Sequence, residues 1–243
     1  MHIPRALATT AATLSSGVLI PLYIDPIGGP DCSGWGPLLN SIAAHPSVPV
    51  WAVINPASGP GAHGSQAPVE YQQCIPVLRA AAPSVVVLGY VATWEGEASA
   101  QSGVNADVSG QSGDLATYRG FAELARPLFG DGDGFIALNP GTAPSDDGYY
   151  SIADILLTAE NFFSDFSVSD ISLASSTPVS KQAVVLTDGP STPPTSLISR
   201  LITTDHLKAF YVTTDSQAGG ANPYDDLPTD LETYIAAIEA AQG

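Results

Sequence analysis

Seven short apolar runs punctuate the chain: GVLIPLYI (17–24), VPVWAVIN (48–55), SVVVLGYVATW (84–94), GFIALN (134–139), DILLTAE (154–160), KQAVVLTD (181–188) and LKAFYVTTD (207–215). Most are rich in β-branched or aromatic residues and run into Asn, Asp, Gly or Pro, the pattern of strands buried on both faces. Between them lie segments with helical spacing: WGPLLNSIAAHP, VEYQQCIPVLRAAA, DLATYRGFAELARPLF, a short one at 149–153, SLISRLITTD and DLPTDLETYIAAIEAAQ. Pro37 near the start of the first suits a helix entry. Strands of this kind alternating with helices predict a parallel sheet wrapped by helices. Seven such units in 243 residues predict an α/β fold, a (β/α)8 TIM-like barrel lacking its fourth βα unit, with an open doubly wound sheet as the alternative.

The gap in the pattern falls between Trp94 and Asp114. There the chain is mostly Gly, Ser, Gln and Ala, with isolated Val104 and Val108, too little apolar side chain for a core strand, so no strand is expected. GDGDGF (130–135) reads as a turn before a strand and not as a calcium loop, because the spaced later ligands and the closing Glu are missing. One barrel domain is expected over 17–243, with 1–16 a weak secretory signal or a disordered leader. No run of 18 apolar residues exists, so no membrane-spanning helix is expected.

Charge narrows the partners. Seven Lys plus Arg against 24 Asp plus Glu give a net charge of -17, which repels phosphate backbones and anionic headgroups, so neither nucleic acid nor a membrane surface is expected to bind. Neutral ligands such as sugars stay open. The scarcity of Lys with abundant Ser, Thr, Gly and Pro suits an extracellular or cell-surface protein. Cys32 and Cys74 fit one disulfide in an oxidising compartment or two buried thiols elsewhere.

In parallel α/β folds functional groups gather where strands end. Those ends bring Tyr23 and Asp25, Asn55, Tyr90 with Trp94, Glu95 and Glu97, Asn139, Glu160 with Asn161, Asp188, and Thr214 with Asp215. Aromatic faces stack on sugar rings, Asn and Asp bond hydroxyls, and paired carboxyl groups can hydrolyse a glycosidic bond. Asp25 and Asp188 equally suit helix capping, and Tyr90 and Trp94 equally suit packing at the rim. Glu160 is a poor cap after an apolar strand, which favours function. The four histidines show no ligand spacing, no metal site is expected, and no Gly-x-Ser-x-Gly elbow occurs.

In that order, the strand ends VLIPLYIDP, VINPASGPG, LGYVATW, LNPGT, LLTAENF, LTDGPST and FYVTTD resemble the spherulin 4-like, spherulation-specific family, whose studied enzymes form glycoside hydrolase family 135. The likeness runs from about Gly17 to the C-terminus. It implies a secreted (β/α)8 barrel that cleaves α-1,4-linked N-acetylgalactosamine in galactosaminogalactan without a cofactor, and a disulfide between Cys32 and Cys74. It also implies three acidic groups: an Asp-Glu pair ending the fourth strand, and a Glu in a Thr-x-Glu-Asn motif after the sixth. Glu160, in LLTAENF, matches the last. The Asp-Glu pair is absent, and no such dipeptide occurs in the chain. Glu97, in EGEAS, stands as the remnant of the family's Glu with Gly96 in the place of the Asp, unless Trp94-Glu95-Gly96 is simply the third-strand loop.

Three readings follow. The first is a monomeric polysaccharide hydrolase with Glu160 and Glu97 as catalytic carboxylates and Tyr23, Asp25, Asn55, Tyr90, Trp94, Asn139 and Asp188 contacting a neutral or amino-sugar polysaccharide. The second is a non-catalytic relative that binds cell-wall glycan through the same groove. The third is a structural surface protein with no glycan affinity.

Overall fold

The structure, a computed structural model, describes residues 14–27, 29, 31–57, 59, 61–62, 64–92, 105–107, 115–129 and 134–243. Eight strands occur among them: β1 Val18–Leu22, β2 Val50–Ile54, β3 Val85–Gly89, β4 Asn105–Asp107, β5 Ala137–Asn139, β6 Ile155–Phe162, β7 Gln182–Thr187 and β8 Ala209–Val212. Seven lie within or across the predicted runs. The eighth, β4, corrects both the count and the expectation of no strand between Trp94 and Asp114. Asn-Ala-Asp carries no apolar alternation to detect; a backbone ladder defines β4, with Asn105 opposite Ala137, Ala106 opposite Leu138 and Asp107 opposite Asn139.

All pairings between strands are parallel, in the orders β1-β2-β3 and β4-β5-β6-β7-β8. Gly17 joins the two sheets. Its N–H donates to Lys208 O at 3.0 Å, and its carbonyl accepts from Phe210 N–H at 3.1 Å. A Cβ at this position would sit 2.0 Å from Pro49 O, so only glycine lets the chain pass. The strand order therefore runs from β4 through β8 to β1, β2 and β3.

β1, β2, β7 and β8 are buried along their whole length, and their Val, Ile, Leu and aromatic side chains make the main core. Each such side chain is worth roughly 1.5–3 kcal/mol when fully buried. β3 differs: Val85, Val86 and Val87 are half-buried and Gly89 is exposed.

The helices are α1 Gly36–Ala44, α2 Val69–Ala81, α3 Leu115–Ala125, α4 Tyr149–Ile152, α5 Thr195–Ile198 running into a π-helical turn Ser199–Thr204, and α6 Leu231–Ala240. α3 and α4 share a second, smaller core in which Tyr118, Tyr149 and Leu156 meet. α6 starts later than the pattern DLPTD predicts, because the residue before Pro228 is disfavoured in helical geometry; Leu231 N–H instead bonds Pro228 O at 3.1 Å. Cys32 and Cys74 form a disulfide with a Cα–Cα distance of 5.6 Å, tying the entry of α1 to the body of α2.

The end of the sheet where strands begin is held by cations. Arg126 bonds Asp154 Oδ2 at 2.9 Å, Gly134 O at 2.8 Å and Ile152 O at 3.0 Å, while Lys181 Nζ bonds Tyr150 O at 2.7 Å and Ala153 O at 2.8 Å. Lys208 lies 5.0 Å from the Trp51 ring centroid. No helix among the described residues is long and apolar enough to cross a membrane.

Candidate functional site

Because the strands are parallel, their C-terminal ends share one side of the sheet, as the sequence reading requires. Glu160 is the sixth residue of β6, just past an irregularity between Leu157 and Ala159 in the pairing with β7. There the segment after β5 folds back onto β6: Thr142 bridges Ala159, and Glu160 N–H donates to Gly141 O at 2.9 Å. Bulges of this kind re-aim side chains near sites.

The Glu160 carboxylate meets two donors from separate elements. Asn139 Nδ2, at the end of β5, donates to Oε2 at 2.9 Å. Asn139 Oδ1 accepts Gly141 N–H at 2.9 Å, which fixes which end of the amide faces Glu160. The Tyr224 hydroxyl donates to Oε1. Tyr224 lies between β8 and α6, with its ring edge against Tyr23 at 5.7 Å; Tyr23 in turn tilts against Tyr90 at 5.6 Å. Burial first, then the charge and hydrogen bond of Glu160, push the Tyr224 phenol far above its ordinary 10.0, so it stays protonated.

Tyr23, Tyr90, Asn139 and Glu160 are thus brought together. Asp25, Asn55 and Asp188 also follow strand ends on this rim. Asp25 Oδ1 accepts Ile27 N–H at 2.8 Å and Asn55 Oδ1 accepts Gly59 N–H at 2.7 Å, so both shape their own loops. Asp188 is exposed in left-handed backbone, φ 53°, with its N–H on Asp215 O at 2.9 Å. Neither Asp25 nor Asp188 caps a helix: α1 and α5 have no side-chain cap. Asp215 is raised above its ordinary value by burial, then by the charge of Asp226. Trp94, Glu95 and Glu97 lie outside the described residues.

One residue of this cluster escaped the sequence reading. Tyr224 lies in AGGANPYDD, well past β8, where a lone aromatic amid Gly, Asn and Pro is the only signal. The apolar pattern also does not reveal β4, whose last residue, Asp107, stands opposite Asn139 in backbone register. Among the described residues no group of three or more His, Cys, Asp or Glu is placed to hold a metal ion.

Fold and site together define a parallel α/β protein with an acidic and aromatic cluster at the carboxyl end of its strands. The chain belongs to spherulation-specific family 4, whose profile matches residues 17–113 and 109–238. Its fold is similar to that of Sph3 from Aspergillus clavatus, crystallised in complex with GalNAc, with a TM-score of 0.71 and 23% identity over 93% of this chain and 98% of that one. A more distant likeness, with a TM-score of 0.50 and 9% identity over 94% of each chain, is to XEG5B, a GH5 xyloglucan-specific β-1,4-glucanase from a ruminal metagenomic library in complex with XXLG. No curated protein sequence matches the chain significantly.

Proposed function

We propose that the protein is a secreted or cell-surface glycoside hydrolase acting on an amino-sugar polysaccharide of the α-1,4-linked N-acetylgalactosamine type, on a TIM-like barrel with a seam between β3 and β4. The observation that carries this reading is the Glu160 carboxylate, held by Asn139 and Tyr224 beside two further tyrosines at the strand-end rim. The likeness to Sph3, bound to GalNAc, supports the substrate class. The disulfide supports an oxidising compartment.

Hydrolysis needs a second carboxyl group, roughly 5 to 9.5 Å from the first. Asp107 is our candidate, because its register beside Asn139 puts it two strands from β6 at the same rim. Glu97 remains the candidate that the sequence pattern names. Tyr23 and Tyr90 supply ring faces for sugar, with Asp25, Asn55, Trp94, Asn139 and Asp188 as further contacts.

Purified protein incubated with an N-acetylgalactosamine polymer should release reducing ends. Glu160→Gln should lower the rate by on the order of 10²–10⁴-fold, with Asp107→Asn and Glu97→Gln deciding the partner by which of them matches that loss. Folded protein that releases nothing, with Glu160→Gln binding the glycan as the parent does, removes the hydrolase. That result would establish the second reading, a glycan-binding relative, which the missing Asp-Glu dipeptide favours.

A further inference from the structure

The Glu160 carboxylate is held by a residue that nothing in the strand-end pattern announces. Tyr224 is 8% exposed, its N–H donates to Asn222 Oδ1 at 3.1 Å, and its carbonyl accepts Tyr23 N–H at 3.2 Å. Ring and backbone are therefore anchored on both sides. Its hydroxyl and the Asn139 amide address opposite oxygens of one carboxylate, and Asn139 Nδ2 can only donate.

We propose that Tyr224 is a positioning residue for Glu160. Together with Asn139 it holds the carboxylate as an acceptor in one orientation, so that Glu160 serves as nucleophile or base and the proton for the leaving oxygen comes from another group. The phenol stays protonated beside Glu160, which rules Tyr224 out as a phenolate nucleophile. Each carboxylate oxygen keeps a second lone pair for a sugar hydroxyl, a water or an anomeric carbon. A donor on each oxygen also stops the carboxylate rotating away when substrate arrives, the preorganisation on which electrostatic catalysis depends.

The consequence for turnover rests on the hydrolase reading, while the positioning itself is testable without turnover. Hydrogen bonds to charged groups convert to roughly a 10- to 100-fold change. Tyr224→Phe should therefore lower kcat by about that factor and leave N-acetylgalactosamine oligosaccharide binding by calorimetry within about threefold. Combined with Glu160→Gln it should add no further loss, because Tyr224 acts through that carboxylate. A Tyr224→Phe variant with wild-type kcat overturns the proposal.

Should the parent protein release no reducing ends, the hydrolase reading fails and a second measurement decides the positioning. With 3-fluorotyrosine in place of Tyr224, the ¹⁹F resonance should move when Glu160→Gln is introduced. An unchanged resonance overturns the proposal. The same fluorinated protein serves if Tyr224→Phe does not fold, since its hydroxyl and shape are retained.

Discussion

Asn139 joins two structures at once, accepting Gly141 N–H with one end of its amide and donating to Glu160 with the other. Asn139→Asp keeps the size and the first bond but sets a second carboxylate against Glu160. Like charges at that distance hold a proton in the folded state that the unfolded chain releases, so this variant regains stability as pH falls. Urea midpoints should show it destabilised by about 1–3 kcal/mol at neutral pH, with the gap to the parent narrowing towards pH 4. A gap that stays constant with pH would mean that the two carboxylates do not face each other. Asn139, Glu160, Tyr23 and Tyr90 were legible in the sequence because each follows an apolar run, and a parallel sheet delivers such residues to one rim. Tyr224 was not legible, because its place depends on how a Gly- and Pro-containing segment crosses the rim rather than on any period.

Among the elements, legibility tracks the density of β-branched residues. β1, β2 and β7 lie inside runs of Val, Ile and Leu, whereas β4 is Asn-Ala-Asp and is defined by its ladder to β5 alone. The helix ends were less legible, since Asp226 to Asp230 carry helix-compatible spacing but Pro228 interrupts it. The disulfide joins the entry of α1 to α2 across 42 residues, and closing such a loop is worth about 4 kcal/mol in the chain-entropy view. Cys32→Ala with Cys74→Ala should lower the thermal midpoint by roughly 10 °C, and a loss of under about 3 °C would place the stabilisation elsewhere. α1 is also tied to α6. His45 Nδ1 lies 2.7 Å from Glu239 Oε2, and the Ser47 hydroxyl bonds Glu239 Oε1. The Ser47 bond first, then the His45 bond, hold the Glu239 carboxyl below its ordinary 4.5. A depressed folded value stabilises above the unfolded value and is lost as pH falls through the folded one. With the Glu239 side chain 38% exposed, the tie is worth under about 1 kcal/mol. Urea midpoints of the parent should exceed those of Glu239→Gln at pH 7 and converge with them near pH 3; a difference that persists in acid would show packing rather than charge.

At the scale of the whole molecule, the strand order among the described residues begins at β4 and ends at β3, and its two sheets are joined in the middle. Gly17 stitches β8 to β1, and the strands on either side of it are buried throughout. At the other ends stand β4, three residues long, and β3, whose valines are only half-buried. Tyr90 N–H bonds Ile54 O at 2.9 Å, and the alternation of a parallel ladder then turns the N–H groups of Val87 and Gly89 away from β2. Among the described residues no strand pairs with β3 on that side. A barrel without a seam would protect those two amides as well as it protects the inner ones, because every edge would be covered. The proposed seam requires the opposite ranking. Native-state hydrogen exchange should find Val184, Val185, Phe210 and Ile20 slowest, opening only near the global unfolding free energy. The amides of Val87 and Gly89 should exchange at least about 10²-fold faster than that of Leu88 between them, which faces β2. Equal protection of the three would mean that chain from outside the described residues completes a ladder on β3, and the proposed seam would have to be abandoned.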